Sequence, residues 1–371
     1  MTSPTNSTML TYTTNNNYYY DYYEYATITD YYNTINNDIT SSSVIKAFTN
    51  NCTFFEDTKY HIIVIHIILF LLGSIGNIFV VSVIASKRNK SVTDIYILNL
   101  SMSDCIFVFQ IPFIVYSKLD QWIFGNILCK IMSVLYYVGF FSNMFIITLM
   151  SIDRYFAIVH PIKRQSYRTK RIGILMCCSA WLLSLILSSP VSKLYENIPH
   201  MSKDNIYQCT LTNGNNSIIT FIKRLMQIEI TILGFLIPII IFVYCYYRIF
   251  TTVVRLRNRR KYKSIKIVLI IIVCSLICWI PLYIVLMIAT IVSLYTSNIF
   301  RHLCLYLNLA YAITFSETVS LARCCINPII YTLIGEHFRS RISSICSCIY
   351  RDNTIKKKLF SRKSSSSSNI I

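Results

Sequence analysis

The sequence predicts an all-α membrane protein, a seven-transmembrane helix bundle with a short amphipathic eighth helix. Three observations carry this. Of 371 residues, 54% are hydrophobic and only 14% charged, where a soluble globular chain averages about 25% charged. Seven apolar stretches follow one another, each long enough to cross about 30 Å of hydrocarbon. Lys and Arg gather in alternate connections between them. A mean hydropathy of +0.51 leaves too little polar surface for a large soluble enzyme. With 8 Gly and 8 Pro, collagen-like and Gly/Ser-linker readings are excluded.

Residues 1–60 form a polar tail rich in Thr, Asn and Tyr. It holds six acids (Asp21, Glu24, Asp30, Asp38, Glu56, Asp57) and two bases (Lys46, Lys59), although the net charge of the chain is +19. No apolar run precedes a small-residue cleavage site, so no signal peptide is expected. The spans fall at about 61–86, 94–118, 127–155, 171–191, 225–250, 265–293 and 303–332. This divides the chain into an outer tail (1–60), a bundle (61–332) and an inner segment (333–371) with the amphipathic helix and a Ser/Lys-rich tail.

Orientation follows from the bases. Lys87, Arg88 and Lys90 follow span one. Lys163, Arg164, Arg168, Lys170 and Arg171 follow span three. A run from Arg255 to Lys266 follows span five, and eight more bases lie between Arg339 and Lys363. Positive loops stay on the cytoplasmic side, so the amino terminus is outside. The charge is therefore topological, and a nucleic-acid partner is not expected. The sequons at Asn6, Asn51 and Asn215 fall on the outer side, where glycosylation is possible. The one at Asn99 lies within a span and should be silent.

The 14 cysteines sort by compartment. Cys52, Cys129, Cys209 and Cys304 lie in outer segments, where disulfides persist, and four Cys allow three pairings. Cys129–Cys209 with Cys52–Cys304 is the favoured pairing, since spans one and seven become neighbours if the bundle closes into a ring. Cys346 and Cys348 follow the inner amphipathic stretch and are palmitoylation candidates. The other eight lie in spans and read as small packing residues.

Polar groups inside spans are expensive and mark function. Span one carries Gly76-Asn77, span two Asn99 to Asp104, and span three Asn143 and the closing triplet Asp153-Arg154-Tyr155. Trp181 lies in span four, Pro238 and Tyr246 in span five, and Cys278-Trp279-Ile280-Pro281 in span six. Span seven has Glu317, Arg323 and Asn327-Pro328-Ile329-Ile330-Tyr331. Together, over about residues 50–345, these resemble the rhodopsin-like G-protein-coupled receptors. Within that class the chain resembles CC chemokine receptors. The residues that carry this are Trp122-Ile123-Phe124-Gly125, the run Asp153 to His160, Cys324-Cys325-Ile326-Asn327-Pro328 and the Cys52/Cys304 pair. Tyr136-Tyr137-Val138-Gly139-Phe140 and Asp120-Gln121-Trp122 look closest to the type-eight subfamily. Abundant Ile, Asn, Tyr and Lys suggest an AT-rich genome, and a poxvirus-encoded homologue of the capripoxvirus kind. The chain departs from the family pattern at Gln110-Ile111-Pro112, Ile114, His66, Pro281-Leu282-Tyr283 and Arg323.

The resemblance implies a plasma-membrane receptor, in the host cell if viral, that binds basic CC chemokines outside and activates an inhibitory-type G protein inside. The outer tail Tyr18, Tyr19, Tyr20, Asp21, Tyr22, Tyr23, Glu24 would meet the basic chemokine, more strongly once its tyrosines are sulfated. Glu317 lies 11 residues before Pro328, about three helical turns, and so faces the bundle. By resemblance it anchors a chemokine amino terminus beside Tyr136 and Tyr137. Phe140 reads equally as cavity lining and as core. Glu229, near the outer end of span five, reads as a carboxylate that reaches water.

Asp153, Arg154 and Tyr155 would form the cytoplasmic switch, with Tyr246 and Tyr331 placed to meet the released Arg154. Trp279 and Pro281 would give span six a pivot, in a span-seven context of Asn327 and Pro328. Ser364, Ser365, Ser366, Ser367 and Ser368 offer phosphorylation sites for arrestin. By the same resemblance Asn77 and Asp104 belong to a sodium pocket. Arg323 is about one turn before Asn327, near the layer of Asp104. A buried guanidinium needs a counter-charge, so an Arg323–Asp104 pair and a sodium-insensitive receptor with a shifted resting balance are expected.

Other function classes fit less well. The intact Asp153-Arg154-Tyr155 argues against a non-signalling scavenger. A transporter or channel would show internal repeats or charged pore rings. No nucleophile motif, Gly-rich phosphate loop or metal-ligand spacing appears, so no catalytic residue, metal or cofactor is expected.

Overall fold

The computed structural model describes residues 56–160, 169–199, 206–212, 217–256, 259–295 and 303–334. Seven helical rods account for most of them. They are α1 (Glu56–Ala85), α2 (Val92–Leu119), α3 (Gly125–Val159), α4 (Lys170–Ser188), α5, α6 (Arg259–Tyr295) and α7 (Leu303–Ile334). A 3₁₀ turn (Ser189–Lys193) extends α4. The rod α5 runs as Ser217–Thr231, tightens into a π-helical turn at Ile232–Leu236, and continues as Ile237–Leu256. Among the described residues six rods are long and apolar enough to cross a membrane. The seventh, α7, contains Glu317 and Arg323, which lower its hydropathy, yet it packs between α1 and α6 and closes the ring. The amphipathic eighth helix, the tail residues Tyr18 to Glu24, Asn6, Asn51, Cys52, Asn215, Cys346, Cys348 and Ser364 to Ser368 lie outside the described residues. So does the side chain of Cys304.

Local chemistry sets the ends of the rods. The turn from α1 into α2 is short and basic. Ser91 caps α2 by accepting from the Asp94 amide, while Asp94 Oδ2 accepts from the Ser91 amide at 2.6 Å. This reciprocal box satisfies two otherwise orphaned donors. Lys87 Nζ reaches the same oxygen at 2.7 Å. Thr169 caps α4 through the Ile172 amide. Pro112, Pro281 and Pro328 sit inside α2, α6 and α7, and Pro238 lies inside the α5 rod just after its π-helical turn. Within a bundle, neighbouring groups can satisfy the carbonyls they free.

The rods turn their apolar residues both ways. Leu175, Leu182 and Ile186 of α4 and Ile240, Val243 and Phe250 of α5 are exposed, a surface suited to lipid tails and not to water. Inside, one apolar cluster packs around Phe107, Phe140 and Trp279, and a second lies towards the cytoplasmic end around Leu100, Ile147 and Tyr331. Buried polar side chains stitch the rods together. Trp181 Nε1 donates to Asn99 Oδ1 at 3.0 Å, and Ser103 Oγ donates to the Gly139 carbonyl at 2.9 Å. Asn99 is thus a structural link between α2 and α4.

Gly76 marks the tightest approach of α1 to α7. A Cβ there would lie 2.8 Å from Pro328 Cβ and 2.9 Å from its Cγ. The proline ring cannot rotate away, so Gly76→Ala should destabilise the receptor by about 1–3 kcal/mol through overpacking. The check is a lower thermal midpoint of the purified protein. An unchanged midpoint would show that α1 is free to shift.

Candidate functional site

Three layers of polar chemistry run down the bundle. The outer layer lies under a hairpin. Strands β1 (Tyr195–Pro199) and β2 (Tyr207–Leu211) pair antiparallel with Asn197 opposite Cys209. Cys209 is bonded to Cys129 at the start of α3, with Cα atoms 5.5 Å apart. The hairpin is held again from the connection between α2 and α3: the Trp122 amide donates to the Tyr207 carbonyl at 2.8 Å, and Gln121 Oε1 accepts from the Tyr207 amide. Trp122 is buried, with its indole N–H on the Gly125 carbonyl at 2.8 Å. Gly125 adopts φ +77°, a left-handed conformation that glycine takes without penalty. The motif Trp122 to Gly125 therefore shapes the rim and anchors the hairpin.

Below the hairpin, Tyr136 and Tyr137 meet edge to face at 5.5 Å. Tyr137 reaches Tyr195 of the hairpin. Glu317 is half-buried and within electrostatic range of both phenols and of Lys118 on α2. The structure thus brings Glu317, Tyr136 and Tyr137 together. Phe140 lies deeper, buried, with its ring 4.9 Å from that of Trp279, and is core. Glu229 does not reach water with both oxygens. Its Oε2 is buried and has no hydrogen-bond partner among the described residues.

The middle layer is ionic. Asp104 is fully buried. Its Oδ1 accepts from Arg323 Nη1 at 2.6 Å and from Asn143 Nδ2 at 3.2 Å, and its Oδ2 accepts from Asn327 Nδ2 at 2.9 Å. Arg323 is equally buried, with its guanidinium carbon 4.9 Å from the Phe107 ring centroid and 5.2 Å from that of Trp279. Asn77 is adjacent but bonded elsewhere: its Nδ2 donates to the Gly73 and Cys324 carbonyls, at 2.9 and 2.8 Å. It ties α1 to the backbone of α7 and makes no bond to Asp104.

The inner layer holds Asp153-Arg154-Tyr155. Arg154 is buried, donates to Thr93 Oγ1 on α2, and lies 3.8 Å from Asp153. Tyr246 is within electrostatic range of Arg154. Tyr331 is buried and interacts with Asp104 and Arg323, one layer higher. Tyr155 points outward to His160 and Tyr244, at 3.2 and 3.5 Å.

Residues 76–331 match the seven transmembrane receptor (rhodopsin family) pattern. The chain belongs to the rhodopsin family of seven-transmembrane receptors. The receptor is 95% identical over 371 residues to a G-protein coupled receptor homolog, K2, of swinepox virus, with the whole of both chains covered. It is 37% identical over 330 residues to human C-C chemokine receptor type 8, covering 88% of each chain. It is also 37% identical over 289 residues to a sheeppox virus G-protein coupled receptor homolog, covering 77% of this chain and 73% of that one. The receptor is of poxvirus origin and chemokine-receptor-like, a multi-pass membrane protein.

Two residues of the receptor's polar layers escaped sequence reasoning. Thr93, the partner of Arg154, is 61 positions away, and nothing local announces the contact. Lys118 is within electrostatic range of Glu317. Its signal was a cation in the outer turn of span two, seven residues after the buried Ile111 and so on the same side of the helix.

Proposed function

We propose that the receptor stands in the plasma membrane of the infected cell with its amino terminus outside, binds basic CC chemokines, and activates an inhibitory-type heterotrimeric G protein. The observation that carries this reading is the cytoplasmic layer. Arg154 is buried between Thr93 and Asp153, the arrangement of a switch held ready and not of one discarded. The similarity to human C-C chemokine receptor type 8 supports the ligand class. The acidic tail Tyr18 to Glu24 captures the chemokine, and Glu317 with Tyr136 and Tyr137 receives its cationic amino terminus. The pivot at Trp279 and Pro281, with Asn327, Pro328, Tyr246 and Tyr331, relays this to Arg154. Cys52 and Cys304 tie the tail to α7. Asn6, Asn51 and Asn215 carry glycans, Cys346 and Cys348 palmitate, and phosphorylated Ser364 to Ser368 recruit arrestin.

The deciding experiment is a panel of labelled CC chemokines on cells expressing the receptor, with nucleotide exchange on the inhibitory-type G protein measured in their membranes. Binding with exchange is expected. Binding without exchange would make it a scavenger, and no binding to any chemokine would overturn the ligand class. Removing residues 1–30 should slow association about tenfold or more, most at low salt where attraction is least screened. Glu317→Gln should leave binding within about tenfold while exchange falls to background. Unchanged association by the truncated receptor would remove the capture role.

A further inference from the structure

A carboxylate in the apolar middle of a membrane bundle must be protonated, paired with a fixed cation or joined by a free one. Asp104 is paired. Arg323 approaches from α7 at 2.6 Å, and Asn143 from α3 and Asn327 from α7 complete its oxygens. The pair is neutral, so the layer presents no net charge to a diffusible ion. The guanidinium also occupies space on the α6 side. Its carbon lies about equally far from the rings of Phe107 on α2 and Trp279 on α6, within range of cation–π attraction. Among the described residues, Arg323 Nε and Nη2 have no hydrogen-bond partner, so beyond Asp104 it is these rings that face the guanidinium.

We propose that Arg323 is a built-in counter-cation. It neutralises Asp104 from within the chain, leaves the core indifferent to free monovalent cations, and clamps α2, α6 and α7 together through one side chain. The disagreement is with the sodium pocket that the family resemblance implies. Asn143 and Asn327 turn their N–H groups to Asp104, and the guanidinium stands where a free cation would have to meet the carboxylate. Without the guanidinium, Asp104 would be left with these two amides and open to such an ion.

The test uses the full-length receptor in lipid nanodiscs, with its thermal midpoint measured in sodium chloride and in choline chloride at equal ionic strength. This readout does not depend on the chemokine reading. The native receptor should show the same midpoint in both salts. Arg323→Gln should melt lower in choline chloride and recover saturably as sodium replaces it. Asp104→Asn/Arg323→Gln should again ignore sodium. Saturable sodium stabilisation of the native receptor overturns the proposal, as does a folded Arg323→Gln that ignores sodium. If Arg323→Gln does not fold even in sodium, the native receptor decides alone: an unchanged midpoint and unchanged ligand-free nucleotide exchange between the two salts support the built-in cation, and a sodium effect on the midpoint sinks it.

Discussion

Asp104→Asn is expected to be the most damaging single substitution in the bundle. It leaves Arg323 fully buried with no counter-charge, between two aromatic rings and two amides. Removing one partner of a buried pair costs about 3–5 kcal/mol, a large share of the about 5–15 kcal/mol by which folded domains are stable. The expected result is near-complete loss of surface receptor at 37 °C with partial recovery at lower temperature. Surface expression by antibody against the outer tail, compared at the two temperatures, measures it. Native-level expression of the variant would mean that the guanidinium finds water by another route.

Cys129→Ser should abolish chemokine binding at the cell surface. The hairpin would keep its attachments through Trp122 and Gln121, and the surface ion pair Lys130–Glu196 at 3.6 Å, worth at most about 1 kcal/mol. These do not replace a covalent tie between the start of α3 and the middle of β2. Cys52→Ser should reduce affinity more than expression. Equal and complete loss of surface protein in both variants would contradict that ranking, which radioligand binding and surface staining on the same cells would decide.

How legible the molecule was depends on the range of the interactions involved. The spans could be read because length and hydropathy are local properties, and Pro112, Pro281 and Pro328 did not break them because lipid leaves the helix no alternative. The fifth was placed at 225 and begins at Ser217, since Lys223 and Arg224 mask its first turns. Lys223 in fact caps the Thr212 carbonyl at 3.0 Å. The hairpin lies between spans four and five, where the sequence shows only an outer segment holding Cys209. Its strands are five residues each and owe their pairing to Cys209 and the Trp122 contact more than to any alternating pattern. The Arg323–Asp104 contact could be anticipated because a buried guanidinium has so few places to go. Thr93 could not, because a hydroxyl on a helix surface has many.

The π-helical turn at Ile232–Leu236 has a consequence for comparing sequences. A Cβ on Gly234 would come within 2.6 Å of the Phe140 ring, so the turn is packed tightly against α3. Such a turn takes up about one residue beyond the α-helical count, and one residue is about 100° of rotation. A helical wheel drawn outward from the buried Phe242 at constant pitch therefore reaches Met226, which is also buried, about 160° out of phase and assigns it to lipid. Gapless alignment of α5 against a receptor with an unbroken helix would carry the same error into every position from Ser217 to Thr231. Ligand docking or chimeras built on such an alignment would exchange wall residues for lipid-facing ones, and a single-residue gap at the turn restores the phase.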